Sequence, residues 1–94
     1  MITKIIKNGS SLEINMFLDD EQTKVGYILA ELDNNIINAN STVVDSSFRG
    51  QNIAGQLVDS LIEFAKRNNY KVKPVCSYIV RYFDKNPEKV KDII

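Results

Sequence analysis

The chain has no histidine, no tryptophan, one cysteine and no excess of either charge sign. Each shortage excludes something. Without histidine, proton transfer falls to carboxylates, tyrosines, the single Cys76 or water, and no metal site is expected from one cysteine and scattered carboxylates. A lone cysteine cannot close an internal disulfide, so a reducing cytoplasm is the expected location. Twelve cationic and twelve anionic side chains cancel, which lacks the basic excess of a nucleic-acid-binding surface. A small RNA-binding domain would also show exposed aromatic pairs on a central strand, and none is evident. No apolar run approaches the ~20 residues that span a bilayer. Met1-Ile2-Thr3-Lys4 does not resemble a secretory leader. Neither nucleic acid nor membrane is an expected partner.

What remains is an ordinary globular composition in 94 residues. That is one domain, able to bury roughly 60–65% of the surface its unfolded form exposes. Ile2–Lys7 reads as a first strand, and Asn8-Gly9-Ser10 as a turn. In Ser11–Leu18, Leu12, Ile14, Met16 and Leu18 alternate as a half-buried strand requires. Asp19-Asp20-Glu21-Gln22 makes a polar loop, Lys24–Leu32 a third strand and Asp33-Asn34-Asn35 a tight turn. Ile36–Val44 is a fourth, less regular strand interrupted by Asn38 and Asn40. Four antiparallel strands are expected. A helix follows from about Ile53 to Asn68, with Ile53, Ala54, Leu57, Val58, Leu61, Ile62 and Ala65 on one stripe and Phe64 at its edge. Tyr70–Val75 is a fifth strand broken by Pro74, Ser77–Lys85 a second helix, and Glu88–Ile94 a short terminal helix with Pro87 at its first turn. The fold class is α+β, with a mixed, mostly antiparallel sheet and helices on its faces.

The most informative segment is Ser47-Phe48-Arg49-Gly50-Gln51-Asn52-Ile53-Ala54-Gly55-Gln56-Leu57. A strand ending Ser41-Thr42-Val43-Val44 runs through a small-residue loop straight into a helix. That order presents unpaired backbone N–H groups at the positive end of a helix dipole, a cradle for a phosphate or pyrophosphate. A plain strand–helix connection with Gly50 as a turn residue reads equally well from the loop alone.

The order of elements and the loop resemble the Gcn5-related N-acetyltransferase superfamily. Its phosphate loop reads Gln/Arg-x-x-Gly-x-Gly/Ala. Arg49-Gly50-Gln51-Asn52-Ile53-Ala54 supplies the first and last places, with Asn52 where the central glycine stands. Asparagine is among the non-glycine residues that best tolerate positive φ. The segment Val72-Lys73-Pro74-Val75-Cys76-Ser77-Tyr78, with Tyr82 and Asn86-Pro87-Glu88, is similar to very short acetyltransferase-like proteins that carry Pro-x-Cys-Ser-Tyr after the fifth strand. Those have His-Pro-Glu near the end, where this chain has Asn86, and often His-Thr-x-Val before the loop, where it has Ser41-Thr42-Val43-Val44.

The resemblance implies a minimal acyl-CoA N-acyltransferase fold with a phosphate-loop helix and short C-terminal helices, binding acetyl-CoA. The coenzyme would meet Thr42, Val43 and Val44 along its pantetheine arm. Arg49, Gly50, Gln51, Asn52, Ile53, Ala54 and Gly55 would hold its pyrophosphate. The fourth and fifth strands would splay to admit the arm, which suits Pro74, although an ordinary edge strand suits it too. Cys76, between a strand end and a helix start, would accept the acetyl group, or it is simply a small core residue. Tyr78 and Tyr82, four apart, would protonate a leaving thiolate or pack on the sheet. Glu31 and Asp45 are conceivable bases. The implied reaction is acetyl transfer to an amine, with a CoA-binding or interaction module as the rival reading. Only Asn8-Gly9-Ser10 connects the first two strands, where the superfamily places helices that help form the acceptor site. The acceptor side is therefore expected to be open, suiting a protein substrate or completion by a second copy of the chain.

Overall fold

A computed structural model describes residues 1–94. Five strands, β1 (Ile2–Asn8), β2 (Ser11–Phe17), β3 (Lys24–Asp33), β4 (Ile36–Val44) and β5 (Lys71–Pro74), form one sheet in the order β1-β2-β3-β4-β5. The first four pair antiparallel as a meander, and β5 joins β4 in parallel. A parallel pair needs a crossover, supplied here by α1 (Ile53–Arg67). After β5 come α2 (Ser77–Lys85) and the single turn α3 (Pro87–Val90).

The alternation in β2 does what its period requires. Leu12, Ile14 and Met16 are buried toward α1, and their partners Ala30, Ile28 and Gly26 on β3 continue the same face. From the other side Ile53, Leu57, Val58, Leu61, Ile62 and Ala65 close on them in a single core of 19 buried residues. Gly26 is required by close approach. A Cβ there would stand 2.9 Å from the Val43 carbonyl oxygen and 3.2 Å from both Ile53 and Leu57. Truncating a side chain as completely buried as Leu57 or Leu61 would cost about 2–5 kcal/mol.

The opposite face of the sheet carries no helix. Ile6, Leu29 and Val43 stand on it at 51%, 41% and 41% exposure. Ser11 follows Asn8 after a turn through Gly9 (φ +61°), so nothing between β1 and β2 can cover it. The outer edge of β5 is better protected. Val72 N–H donates to the Ile93 carbonyl at 2.6 Å, and Lys71 Nζ to the Asp92 carbonyl at 3.0 Å. The chain end thus blunts an otherwise free strand edge.

Several expected boundaries move. The terminal helix ends at Val90 rather than Ile94, because the last residues turn to cap β5. The fifth strand is Lys71–Pro74, since Tyr70 N–H is taken by the Ala65 carbonyl at the end of α1. A 3-10 turn at Ser46–Phe48 was not expected. Asp45 caps it, its Oδ1 accepting from Ser47 N–H at 2.9 Å.

Candidate functional site

The site begins where β4 and β5 part. Their ladder runs from Ile36–Lys71 to Ala39–Pro74 and stops. The N–H groups of Val75 and Cys76 then both converge on the Ala39 carbonyl, each at 3.0 Å, and the chain turns into α2. The register of β4 against β3 also shifts here, with Asn40 left as the extra residue. Beyond Ala39, β4 has β3 on one side and no strand on the other. Proline ends the ladder because it offers no donor.

The β4–α1 loop lies at the mouth of this gap. Arg49 N–H donates to Ser46 and Gln56 N–H to Asn52. Between them, the six consecutive amides of Gly50, Gln51, Asn52, Ile53, Ala54 and Gly55 donate to no backbone acceptor. Two residues set this geometry through positive φ, Gly50 at +89° and Asn52 at +57°. Asn52 is the N-cap of α1, yet its side chain makes no capping bond. The first-turn donors therefore stay free and face the positive end of the helix. A groove of about 430 Å³ opens here, lined by Val44, Phe48, Arg49, Gly50, Asn52, Ile53, Ala54 and Tyr78. Arg49 has no carboxylate partner among the ion pairs. Unpaired amides, a helix N-terminus and a free guanidinium suit a pyrophosphate.

Cys76 is the N-cap of α2, at the end of the splayed β5 and half-buried. Burial pushes its thiol pKa up, but donors aimed at the sulfur outweigh that. They are the Thr42 hydroxyl and the N–H groups of Ile79, Tyr78 and Thr42, and the net direction is down. By strict hydrogen-bond geometry Thr42 Oγ1 is buried without a partner, and Cys76 makes no side-chain cap bond. Donors gathered near a thiol favour its ionised form.

The sequence-derived candidates divide. Val44, Arg49, Gly50, Asn52, Ile53, Ala54 and Tyr78 line one groove, and Thr42 adjoins Cys76. Gln51 is exposed on the loop and Gly55 buried under it. The Val43 side chain shares its face with Tyr27, away from α1, so only its backbone borders the gap. Tyr82 is drawn elsewhere. Its hydroxyl donates to Asp59 Oδ1 at 2.5 Å, and Lys89 Nζ lies 3.1 Å from it. Burial first and the Asp59 bond second hold its phenol pKa above the ordinary value. It fastens α2 to α1, while its neighbour Tyr78 faces the groove. Asp45 is occupied as a cap, and Glu31 is exposed near the far end of β3. Phe48 was missed, since its place in the groove depends on the 3-10 turn.

A family model described as GCN5-related N-acetyl-transferase matches residues 13–93. Among solved structures, a GCN5-like protein from Staphylococcus aureus superposes with a TM-score of 0.69 at 24% identity, over 96% of this chain and 85% of that one. A ribosomal-protein-alanine N-acetyltransferase from Brucella melitensis biovar Abortus gives 0.64 at 15% identity, over 84% of this chain and 64% of that one. An aminoglycoside N-acetyltransferase in complex with CoA gives 0.56 at 12% identity, over 87% and 68%. Identities this low speak to the fold alone. No curated protein matches the chain significantly.

Proposed function

The chain belongs to the GCN5-related N-acetyl-transferase family, and we infer that it binds acetyl-CoA in the β4–α1 groove and transfers the acetyl group to an amine. The run of unpaired amides from Gly50 to Gly55, beside the parted strands, carries this reading. The amides and Arg49 would hold the pyrophosphate, and the free side of β4 from Asn40 to Val44 the pantetheine arm. Bound there, acetyl-CoA supplies an activated thioester.

Cys76 is the proposed nucleophile. Its thiolate attacks the thioester carbonyl, a new carbon–sulfur bond forms and the coenzyme leaves as a thiolate that takes up a proton. The acceptor amine then attacks the cysteine thioester, loses a proton and releases Cys76. The two thioesters are close in energy, so the first step needs no further driving force. The Thr42 hydroxyl and the first-turn amides of α2 favour the ionised sulfur, and Tyr78, which lines the groove, is the proposed proton donor. Tyr82 has no part in this proposal. The uncovered sheet face favours a large acceptor, such as a protein, or a second copy of the chain completing the site. The same openness supports the rival reading of a coenzyme-binding module with little catalysis.

Native mass spectrometry with acetyl-CoA separates these. Bound coenzyme plus an acetyl adduct on Cys76 supports the covalent route. Bound coenzyme with amine acetylation but no adduct supports direct attack by the amine. Bound coenzyme with neither leaves the binding module, and no bound coenzyme removes the assignment.

A further inference from the structure

The sheet face that carries no helix is apolar at its centre. Ile6, Tyr27, Leu29 and Val43 sit in its two middle rows, where a solvated face would carry polar side chains. Contiguous apolar surface of this kind marks a site of association. Asn15 lies among them, opposite Tyr27, and is only 2% exposed. Its Nδ2 reaches Glu13 at 3.4 Å, but its Oδ1 is buried with no donor. A buried acceptor left open beneath an apolar surface is rare in a finished interior.

The two ends of this face carry opposite charge. Along β3 the outward side chains run Lys24, Tyr27, Leu29, Glu31, with Val25 the extra residue of a bulge. Lys24 holds its Nζ 4.4 Å from the centre of the Tyr27 ring, at one end of the face. Glu31 stands at the other end, level with Ser11 and Asn38, and Glu13 one row nearer the middle. None of these three charges belongs to an ion pair. The other charges nearby are engaged or distant. Lys4 is paired with Glu21 at 3.3 Å, and Asp45, beside Lys24, caps Ser47. Lys73 is on β5, two strands from Glu31.

We propose that this face binds a second copy of the chain, sheet against sheet, about a two-fold axis that crosses the strands. Such an axis lays each strand antiparallel over its own copy and brings Lys24 of each protomer over Glu31 of the other, with Tyr27 over Leu29. An axis along the strands would instead set like ends together, Lys24 row on Lys24 row, so the charge pattern selects the first. Aligned sheets stack about 10 Å apart, a gap that a lysine and a glutamate together can span. Of the two occupants named above, a protein acceptor and a second copy, this self-complementarity favours the copy. Four strands of about seven residues give a footprint of roughly 20 by 24 Å. That is small for a specific interface, so the dimer should be reversible and micromolar. The coenzyme groove opens on the α1 side of the sheet, where Val44 lies, so coenzyme binding and dimerisation can fail separately.

Sedimentation equilibrium from micromolar to near-millimolar protein tests this with the native chain, Lys24→Glu, Glu31→Lys and the double variant Lys24→Glu/Glu31→Lys. The native chain should pass from monomer to dimer across this range. Each single variant turns two attractive contacts per dimer into two repulsive ones and should weaken association by about tenfold or more. An equimolar mixture of the two single variants restores both contacts and should dimerise as the native chain does. The double variant, which exchanges the two charges, should dimerise alone. These two rescues also show that the substituted chains are folded. A native chain that stays monomeric overturns the proposal and leaves the face to a protein acceptor. A dimer indifferent to both single variants places the contact elsewhere and overturns it too. So does a dimer that both single variants break and neither the mixture nor the double variant restores.

Discussion

The side chain of Asn52 occupies the space where any Cβ on Gly55 would lie. An ideal Cβ at Gly55 stands 2.5 Å from Asn52 Oδ1 and 3.1 Å from the amide carbon and nitrogen. The left-handed backbone of Asn52, φ +57° and ψ +32°, folds its side chain back over the first turn of α1. The two residues therefore form one unit. Gly55→Ala gains helix propensity, about 1 kcal/mol in an open helix, but displaces the Asn52 amide. Asn52→Gly clears that space. Urea unfolding of the native chain, both single variants and the double variant should show the double more stable than additivity allows, by about 0.5–1 kcal/mol. Simple additivity means the contact carries no energy.

The left-handed position itself gives a second expectation. Asn52→Gly should keep or improve CoA affinity, whereas Asn52→Val should weaken it and destabilise the chain by about 1–2 kcal/mol, because a β-branched residue is strained at positive φ. Valine binding as well as glycine would show that the position has no special backbone role.

Gly50 is more demanding, at φ +89°. Proline there fixes φ near −65° and deletes one of the six free amides. Gly50→Pro should abolish CoA binding in calorimetry, while the core, to which Gly50 contributes nothing, still melts cooperatively. Native-like affinity in the variant would move the pyrophosphate site elsewhere.

Cys76 should react with an alkylating agent at lower pH than an ordinary thiol, since its pKa lies below the usual value. Below its folded-state pKa the sulfur is protonated and slow. Above it the rate reaches a plateau, so the rate–pH midpoint should fall to the acid side of a model thiol's. Thr42→Val removes a donor that stabilises the thiolate and should move the midpoint back up. The same substitution should cost little stability, because the lost hydroxyl is buried and unpartnered. Added CoA should slow alkylation by covering the sulfur. An inert Cys76, indifferent to pH and CoA, would make it a core residue and remove the covalent route.

Tyr82 should ionise above the ordinary value for a tyrosine. Burial and the Asp59 carboxylate both oppose a phenolate there. Absorbance titration should show one tyrosine ionising above its ordinary value, and Tyr82→Phe should delete that step. Because the bond is solvent-exposed, losing it should destabilise the chain by only about 0.5 kcal/mol. A native titration that superposes on that of Tyr82→Phe, apart from amplitude, would mean the bond does not persist in solution.

The parts of this molecule legible in the sequence are those governed by residues three or four apart. The α1 stripe, the alternation of β2, the turn at Gly9 and the tolerance of Asn52 for positive φ all follow from local sterics and periodicity. So did the free amides at the start of α1, because a helix always leaves its first N–H groups unbonded. Tertiary structure decided what depends on distant partners. Tyr78 and Tyr82 look alike in sequence, but only Tyr82 meets Asp59, from another helix, and turns from the groove. Pro74 marks in the sequence where the β5 ladder must stop, but that Thr42 adjoins Cys76 follows only from the parallel pairing of β5 on β4 up to Ala39. The last residues continue a helical pattern, yet Ile93 gives its carbonyl to Val72 instead. An unprotected strand edge offers a buried hydrogen bond, and that outweighs one more turn of a short, frayed helix.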